Sequence, residues 1–497
     1  MKRLSIAVAG GGLGGLAAAA RLAAAGHAVE LFEAAPTLGG KAGEIREAGY
    51  RFDTGPSLVT MPFVIRDLFA ACGASMEKVL DLRPLSVLTR YWWSDGTRLD
   101  ASADPAALDD AAHRILGERR GAVLAWLKQA AEVWDLSADL FLFHAFGDPR
   151  AIFTPRNLGR LFRMKALDPF RTLHQAHTAA FTDPRVVQLF DRFATYNGSD
   201  PRQTPATLKI IAHVEMALGG FVFGGGMRAL ADQIAALAIQ KGAVLHTGVK
   251  VEAFLTEGLR VTGLRVHGQE RFFDAVVSNL DAATTWRLTD HPKALPHAER
   301  LESFEPSTSA LTFFWGVPAG LAPLSLHNIL FSKDYDAEFD DLFHKKIYPL
   351  DPTIYIYVSR HNDPQDAPEG FENWFVMVNA PVWRGGASDP QEGVAAVRSA
   401  ILRRLKDQFQ VDLEGRIVFE KVQTPRDLAE RTGSPGGSIY GISSNDRRAA
   451  FLRQPNRARP LRSLYFAGGS AHPGGGVPLV LLSADIAVRA LRQDLER

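Results

Sequence analysis

The stretch LSIAVAGGGLGGLAAAARLAAAGHAVELFE, residues 4–33, decides the fold. Its residues 4–9 form a short apolar run rich in β-formers, which predicts a buried strand. A glycine turn follows at residues 10–15, and then an Ala- and Leu-rich helix that ends at Gly26, where glycine commonly terminates helices. Residues 28–33 have the pattern of a second buried strand, so the stretch predicts a β-turn-α-β unit.

The glycine turn has the spacing of a dinucleotide-binding turn. Gly10 allows the tight turn, Gly12 lets the backbone approach a pyrophosphate, and Gly15 lets helix and strand pack closely. The N-terminus of the predicted helix offers free N–H groups and a positive dipole end to the phosphates. Glu33 ends the second strand, where an acid accepts hydrogen bonds from ribose hydroxyls and repels a 2′-phosphate. The pattern favours FAD or NAD over NADP; the alternative is a glycine turn without a ligand.

Length and composition limit the function classes. The chain has 497 residues, 46% of them hydrophobic and 22% charged, which is ordinary for globular proteins and fits about two to four domains. Lys and Arg number 56 and Asp and Glu 55, so the net charge is +1 and nucleic acid is not an expected partner. Cys72 is the only cysteine, which excludes an internal disulfide and a cysteine-only metal site, and we expect no metal.

The first residues resemble a secretory signal peptide, because Lys2 and Arg3 precede an apolar run. The run is rich in glycine and continues into the second predicted strand, so we interpret it as part of the fold. Elsewhere the sequence has no uninterrupted apolar stretch of the roughly 20 residues that cross a bilayer. Binding to a membrane surface remains open.

The rest of the chain predicts a nucleotide-binding domain assembled from separated segments. Helical spacing marks residues 106–146, 155–178, 184–194, 227–241 and 394–409, whereas strand patterns mark residues 249–255, 261–266, 271–277, 311–317, 353–358 and 374–379. We expect residues 1–85, 225–290 and 430–497 to form the nucleotide-binding domain. Residues 86–224 and 291–429 would form a substrate-binding and helical domain inserted between them.

Further motifs follow Glu33 in a fixed order. Gly39-Gly40-Lys41 comes first, then the segment GYRFDTGPS at residues 49–57, and far later a strand containing Lys250-Val251. The segment DAVVSN ends at Asn279, and the last motif is LYFAGGSAHPGGGVP at residues 464–478. In this order the chain resembles the FAD-dependent flavoproteins that include amine oxidases and carotenoid desaturases.

This resemblance implies a fold and a cofactor. The fold is α/β, with a Rossmann-like FAD-binding domain of the amine oxidase/GDI type, an inserted mixed-sheet substrate domain and a helical membrane-facing region. The cofactor is FAD, bound through its pyrophosphate, adenine and flavin. The cofactor-binding residues that the resemblance and the glycine pattern imply are Gly10, Gly12, Gly15, Glu33, Gly40, Lys41, Gly55, Pro56, Ser57, Val251, Asn279, Gly469, Gly475, Gly476 and Val477.

Longer stretches narrow the resemblance to bacterial phytoene-desaturase-type carotenoid enzymes. The most similar branch is that of the 1-hydroxycarotenoid 3,4-desaturases, also called methoxyneurosporene dehydrogenases, on residues 196–201, 372–379, 440–445 and 472–479. The branch implies an acyclic C40 carotenoid substrate, desaturated at C-3,4 by hydride transfer to flavin N5. Four alternatives remain: a phytoene- or neurosporene-type desaturase, an FAD amine oxidase, a carotenoid isomerase or saturase, and a flavin-free escort of prenylated proteins.

The catalytic residues are unknown from the sequence, and three side chains are weak candidates for the proton acceptor. His213 and Glu215 precede an apolar segment and would share a face on a strand but not on a helix. A satisfied buried pair is the competing interpretation. His472 lies in the last glycine-rich motif, where a His-Pro turn more often shapes a loop.

The carotenoid substrate that the resemblance implies would reach the protein from a membrane. Residues 150–171 are basic and carry apolar side chains between the charges, which is typical of a helix resting on anionic lipid. The expected membrane contacts are Arg156, Arg160, Phe162 and Arg163, with a solvated helix face as the alternative. We therefore expect a cytoplasmic protein, peripheral on the inner face of the cell membrane, with oxygen or a quinone as its unknown electron acceptor.

Overall fold

One parallel sheet and one large mixed sheet organise the computed structural model, which describes residues 3–145, 164–385, 391–446 and 448–496. In chain order the strands are β1 Ser5–Ala9, β2 Ala28–Glu33, β3 Glu44–Glu47, β4 Tyr50–Asp53, β5 Leu82–Pro84, β6 Val87–Trp92, β7 Arg98–Ser102, β8 Phe221–Phe223, β9 Val244–Thr247, β10 Val251–Glu257, β11 Arg260–Val266, β12 Gln269–Phe272, β13 Ala275–Ser278, β14 Ser309–Pro318, β15 His327–Leu330, β16 Ile354–Val358, β17 Phe371–Ala380, β18 Phe419–Gln423 and β19 Leu464–Phe466.

The α-helices of the same described residues surround these sheets. In chain order they are α1 Leu13–Ala24, α2 Pro62–Ala71, α3 Pro105–Ala111, α4 Ala122–Phe141, α5 Leu173–Ala180, α6 Pro184–Asp191, α7 Ile210–Met216, α8 Gly226–Gln240, α9 Ala282–Arg287, α10 Leu295–Glu302, α11 Tyr335–Asp340, α12 Gln391–Phe409, α13 Pro425–Thr432, α14 Ala449–Leu452 and α15 Val477–Leu495. Prolines in the first turn of α2, α3 and α6 fit their positions, because the missing N–H would have no partner there.

The parallel sheet has the strand order β19-β13-β1-β2-β9. Its strands therefore come from three distant parts of the chain, and all neighbouring pairs are parallel. Helices α1, α8 and α15 pack on one face, where the small side chains Ala17 to Ala20 of α1 are fully buried. The antiparallel sheet of β10, β11 and β12 packs on the opposite face.

The large mixed sheet has the order β18-β14-β17-β16-β15-β6-β7 and one parallel pair, β15 with β6. Alternate residues of its strands point to opposite faces. On β14, Leu311, Phe313 and Trp315 pack beneath α12 together with Ile356 and Trp374. The other face of the sheet is turned toward a cavity that also reaches the parallel sheet.

Three predictions about individual elements are wrong. In the described part of residues 155–178 the chain is not one helix, because Asp168 adopts positive φ and the α-helix begins only at Leu173. Residues 106–146 do not form one helix, because Gly117 and Gly121 adopt positive φ and separate α3 from α4. Residues 271–277 do not form one strand, because the chain leaves β12 of the small antiparallel sheet and enters β13 of the parallel sheet. Alternation of apolar residues cannot show that two short strands belong to different sheets. The domain boundaries stay a prediction.

No α-helix within the described ranges is both long and apolar enough to span a bilayer. The expected membrane contacts Arg156, Arg160, Phe162 and Arg163 lie outside the described residues.

Candidate active site

The first glycine turn, residues 10–15, joins β1 to α1. The Gly10 amide donates to the carbonyl oxygen of Phe32 at 2.8 Å, which ties the turn to β2. A Cβ at Gly15 would lie 2.0 Å from the carbonyl oxygen of Gly10, so glycine is required for α1 to pack this close. Among the residues that the structure describes, no side chain caps the N-terminus of α1 at Gly12. Its first N–H groups are therefore available to an anionic ligand.

Glu33 closes the other side of this turn at the end of β2. One carboxylate oxygen accepts from the Gly11 amide at 2.6 Å, and the other accepts from the Ala35 amide at 2.8 Å. These two bonds hold the carboxylate against the cavity, which Glu33 lines. Carboxylate oxygens have about two acceptor sites each, so capacity remains for ribose hydroxyls.

Lys41 connects the second glycine turn to a distant loop. The Gly39 amide donates to the carbonyl oxygen of Gly11 at 2.8 Å, which places the two glycine turns side by side. The Lys41 ammonium donates to the carbonyl oxygens of Ser438 at 2.9 Å and Ile439 at 2.8 Å. Desolvation lowers the pKa of Lys41 to about 8, and the Arg431 charge acts in the same direction.

Asn279 joins the carboxyl ends of three parallel strands. Its amide donates to the carbonyl oxygen of Ala9 at 2.7 Å, and its side-chain nitrogen donates to that of Ala467 at 2.9 Å. Thus β1, β13 and β19 meet at one residue. In open parallel sheets ligands bind beyond the carboxyl ends of the strands, where Asn279 stands.

The last glycine-rich loop, residues 467–476, leads into α15. At its N-cap, Gly476, no side chain of the described residues caps the helix. The buried Arg453 fixes this loop by donating to the carbonyl oxygens of Gly469, Tyr440 and Ile442. The Nε2 atom of His472 lies 2.9 Å from the carbonyl oxygen of His144. Burial lowers the pKa of His472, so the neutral imidazole is favoured.

A single large cavity connects these parts to the mixed sheet. Its volume is about 1710 Å³, whereas sites for one ligand usually measure about 300–1,000 Å³. One part, the cofactor chamber, is lined by the glycine turns and Asn279. The other part, the substrate chamber, is lined by the cavity-facing side of the mixed sheet and by α7. Residues of the substrate chamber include Thr89, Ile211, His327, Ile329, Phe375 and Met377.

A buried polar cluster lies in the wall of the substrate chamber. Arg192 donates to Glu215 at 3.1 Å and to the hydroxyl of Tyr91 at 2.7 Å, and both charged side chains are almost inaccessible to water. The other Glu215 oxygen accepts from the Tyr196 hydroxyl. Both carboxylate oxygens are therefore engaged.

The chain matches the profile of the family described as flavin containing amine oxidoreductase over residues 13–492. The chain belongs to this family. As a family member it is an FAD-dependent oxidoreductase with the α/β amine oxidase fold.

Curated relatives match this family member over nearly its whole length. The 1-hydroxycarotenoid 3,4-desaturase of Flavobacterium sp. (strain P99-3) is 36% identical over 479 residues, 96% of this chain and 97% of the relative. A 4,4'-diaponeurosporene oxygenase of Staphylococcus haemolyticus (strain JCSC1435) is 30% identical, covering 97% of this chain and 96% of the relative. A 4,4'-diapophytoene desaturase of the same strain is also 30% identical, covering 99% of each chain.

Among solved structures, wild-type putrescine oxidase bound to putrescine aligns with this family member at a TM-score of 0.63. The alignment covers 100% of both chains at 14% sequence identity. At this identity the likeness shows the shared fold alone.

The donor set of the cofactor chamber fits FAD. The uncapped N-termini of α1 and α15 supply N–H groups suited to phosphate or another anionic group. The Glu33 carboxylate supplies acceptors for ribose hydroxyls. Of the predicted cofactor-binding residues all except Gly15 line the cavity, and Gly15 lies behind the turn where it packs α1 on Gly10. The contact of each residue with FAD stays a prediction.

The structure separates the three candidate proton acceptors. His213 lies on the helix α7 and not on a strand, so it does not share a face with Glu215, and it is absent from the cavity lining. Glu215 and His472 line the cavity. Their chemical roles stay predictions. The partners of Glu215, Arg192 and Tyr196, were missed as partners, because no local motif connects their segment to α7.

We expect Lys41 to make stability depend on pH. Its pKa is about 8 in the folded state and 10.5 when unperturbed, so between these values the unfolded chain binds more protons. The free energy of unfolding should therefore gain about 1–3 kcal/mol from Lys41 as pH rises from 8 to 10, the lower end applying where cavity water reaches the ammonium. Urea unfolding of FAD-free protein and of Lys41→Met at pH 7.5 and 9.5 measures this gain. Parallel pH profiles of the two proteins would contradict it.

Proposed function

We propose that the protein desaturates an acyclic C40 carotenoid in carotenoid biosynthesis, most specifically the C-3,4 bond of a 1-hydroxycarotenoid. The observation that carries the proposal is the continuity of the cavity, in which the cofactor chamber opens into a substrate chamber walled largely by apolar side chains. The full-length similarity to a 1-hydroxycarotenoid 3,4-desaturase supports the same substrate class.

The substrate chamber suits a neutral, apolar chain. Such a substrate has almost no polar groups, so its binding free energy comes from burial of apolar area at about 25 cal/mol per Å². Ile211, Val214, Ile329, Phe375 and Met377 all offer apolar surface to the cavity. An amine substrate would need a desolvated cation to be paired. The Glu215 carboxylate is already engaged by Arg192 and Tyr196, which argues against that role.

Desaturation removes a hydride and a proton from adjacent carbons. Bound FAD supplies the two-electron oxidation by taking up the hydride. The chain contributes the orientation of the two C–H bonds along the apolar wall and the exclusion of water. Of the candidates that line the cavity we propose His472 as the proton acceptor, because both Glu215 carboxylate oxygens already accept hydrogen bonds. We propose oxygen or a quinone as the final electron acceptor.

We also propose that the protein takes its substrate from the inner face of the cell membrane, as a peripheral protein. The basic and apolar pattern of residues 150–171 supports this location. Because a C40 polyene partitions into lipid, the activity should depend on vesicles that carry the substrate.

The test compares two substrates with FAD-loaded protein and liposomes. One substrate is a 1-hydroxy acyclic carotenoid and the other is phytoene, and products are followed by visible spectrum, chromatography and mass. We expect a red shift and a loss of two hydrogens with the hydroxylated substrate alone. A red shift with phytoene alone would support a phytoene-type desaturase. A product that has gained oxygen would instead support the activity named for the Staphylococcus haemolyticus oxygenase. Peroxide formed from amines, without any carotenoid product, would support an amine oxidase.

A further inference from the structure

His327 begins β15 on the cavity-facing side of the mixed sheet. Only 3% of the residue is exposed, and its ring stacks on Tyr357 with 4.9 Å between centroids. The Nδ1 atom lies 2.8 Å from the Tyr355 hydroxyl. Within the described part of the chain, the buried Nε2 atom has no hydrogen-bond partner. The imidazole is thus held in place by one nitrogen, while the other has no partner among the described residues.

Hydrogen bonds connect His327 to the border of the cofactor chamber. The Tyr355 hydroxyl lies 2.5 Å from the Ser57 hydroxyl as well as bonding His327. Ser57 lies two residues after Gly55, which packs closely against the backbone of Lys41. A Cβ at Gly55 would lie 2.0 Å from the Lys41 carbonyl oxygen, so any side chain there would block this contact. The chain Ser57–Tyr355–His327 therefore starts beside the second glycine turn and ends in the substrate chamber.

The chemistry of the proposed substrate restricts where its hydroxyl can bind. The hydroxyl is on C-1 and the reacting bond is C-3,4, so only C-2 separates the hydroxyl-bearing carbon from the reacting bond. A group that binds this hydroxyl must lie close to the cofactor chamber and not at the far end of the substrate chamber. His327 meets this condition through its connection to Ser57.

A neutral imidazole suits an alcohol partner. Burial and the nearby charge of Arg192 lower the pKa of His327 to about 3. A neutral ring leaves Nε2 as either donor or acceptor, depending on the direction of the bond to Tyr355. A hydroxyl group both donates and accepts, so it matches Nε2 in either tautomer.

We propose that Nε2 of His327 hydrogen-bonds the hydroxyl of the substrate and thereby selects a hydroxylated end over a hydrocarbon end. This specificity-determining role rests on the proposed function and names the polar contact that it requires. A second buried hydroxyl without a partner among the described residues, that of Tyr335, also faces the cavity. Among the described residues the Tyr335 hydroxyl forms no hydrogen bond with the Ser57–Tyr355–His327 chain, so we assign the contact to His327.

The test uses His327→Asn, whose amide keeps a polar group near Nδ1 but removes Nε2, and His327→Gln, whose amide reaches toward Nε2. For each FAD-loaded variant we measure KM for the 1-hydroxycarotenoid and the inhibition constant of the same carotenoid lacking the hydroxyl. We expect His327→Asn to raise KM about 5- to 150-fold, with the inhibition constant of the hydrocarbon unchanged. His327→Gln should recover at least part of the selectivity.

Tyr335→Phe is the matched comparison, and it should change both constants together. Equal changes of the two constants in His327→Asn would overturn the proposal, as would a selective change in Tyr335→Phe alone. If the wild-type protein desaturates the hydroxylated carotenoid and His327→Asn still favours this carotenoid over the one lacking the hydroxyl, only this inference fails. If the wild-type protein desaturates neither carotenoid, the proposed function fails and this inference fails with it.

Discussion

Gly15→Ala should leave the protein almost without FAD. The added Cβ would lie 2.0 Å from the carbonyl oxygen of Gly10 and 3.1 Å from the Cβ of Asn279. The first obstacle is backbone, which cannot rotate away, so α1 must move off the turn. That movement displaces the uncapped N–H groups at the start of α1, which are the proposed contacts of the pyrophosphate.

The ratio of flavin absorbance to protein absorbance after purification measures this loss. Gly415→Ala is the control, because its Cβ would meet no atom of the described residues within 4 Å and its backbone needs no positive φ. It should retain the wild-type FAD content. Circular dichroism of Gly15→Ala distinguishes a folded FAD-free protein from an unfolded one. Full FAD occupancy in Gly15→Ala would show that the turn does not need this close packing.

Arg192→Met should reduce the free energy of unfolding by about 3–5 kcal/mol, the usual cost of removing one partner of a buried ion pair. Arg192 and Glu215 have 6% and 1% of their side chains exposed. Without the guanidinium, the Glu215 carboxylate keeps the Tyr196 hydroxyl but loses its charged partner. Tyr91 loses a hydrogen bond of 2.7 Å in the same variant. Urea unfolding followed by tryptophan fluorescence measures the change.

Arg66→Met is the control for Arg192→Met. Arg66 forms an ion pair with Glu77, and about half of each side chain is exposed, at 50% and 56%. Exposed ion pairs contribute little to stability, so the urea midpoint of Arg66→Met should match that of the wild-type protein. The double variant Arg192→Met/Glu215→Leu should be more stable than Arg192→Met alone, because it leaves no unpaired buried charge. A double variant less stable than the single one would refute the ion-pair explanation.

Local sequence signals pointed to residues that the structure brings to one cavity. Gly10, Gly12 and Glu33 lie within one short β-turn-α-β unit, and each residue type has a direct physical reason for its position. The structure brings Asn279 to the same place, as expected from the resemblance of the segment that ends there. Strand β2 has the predicted bounds, Ala28–Glu33, because an apolar run between a helix end and an acid marks both ends.

The substrate chamber could not be predicted in this way. His327 lies in an unremarkable strand, and its role depends on Tyr355 and Ser57, which no spacing rule connects to it. Arg192 and Glu215 belong to a short helix segment and to α7, whose periodicity says nothing about the face that reaches the cavity. Long-range pairing in three dimensions, and not local propensity, determines these contacts.

The order of the strands in the parallel sheet also constrains how the protein is made. The edge strand β19 and the helix α15 begin only at residues 464 and 477, yet they join β13 and α1, which are synthesised much earlier. On the ribosome the first β-turn-α-β unit emerges long before these partners. The nascent chain must therefore hold an incomplete sheet with an open edge while more than 400 residues are added. The N–H groups at the start of α15 therefore become available to a flavin only after residue 477 has been synthesised.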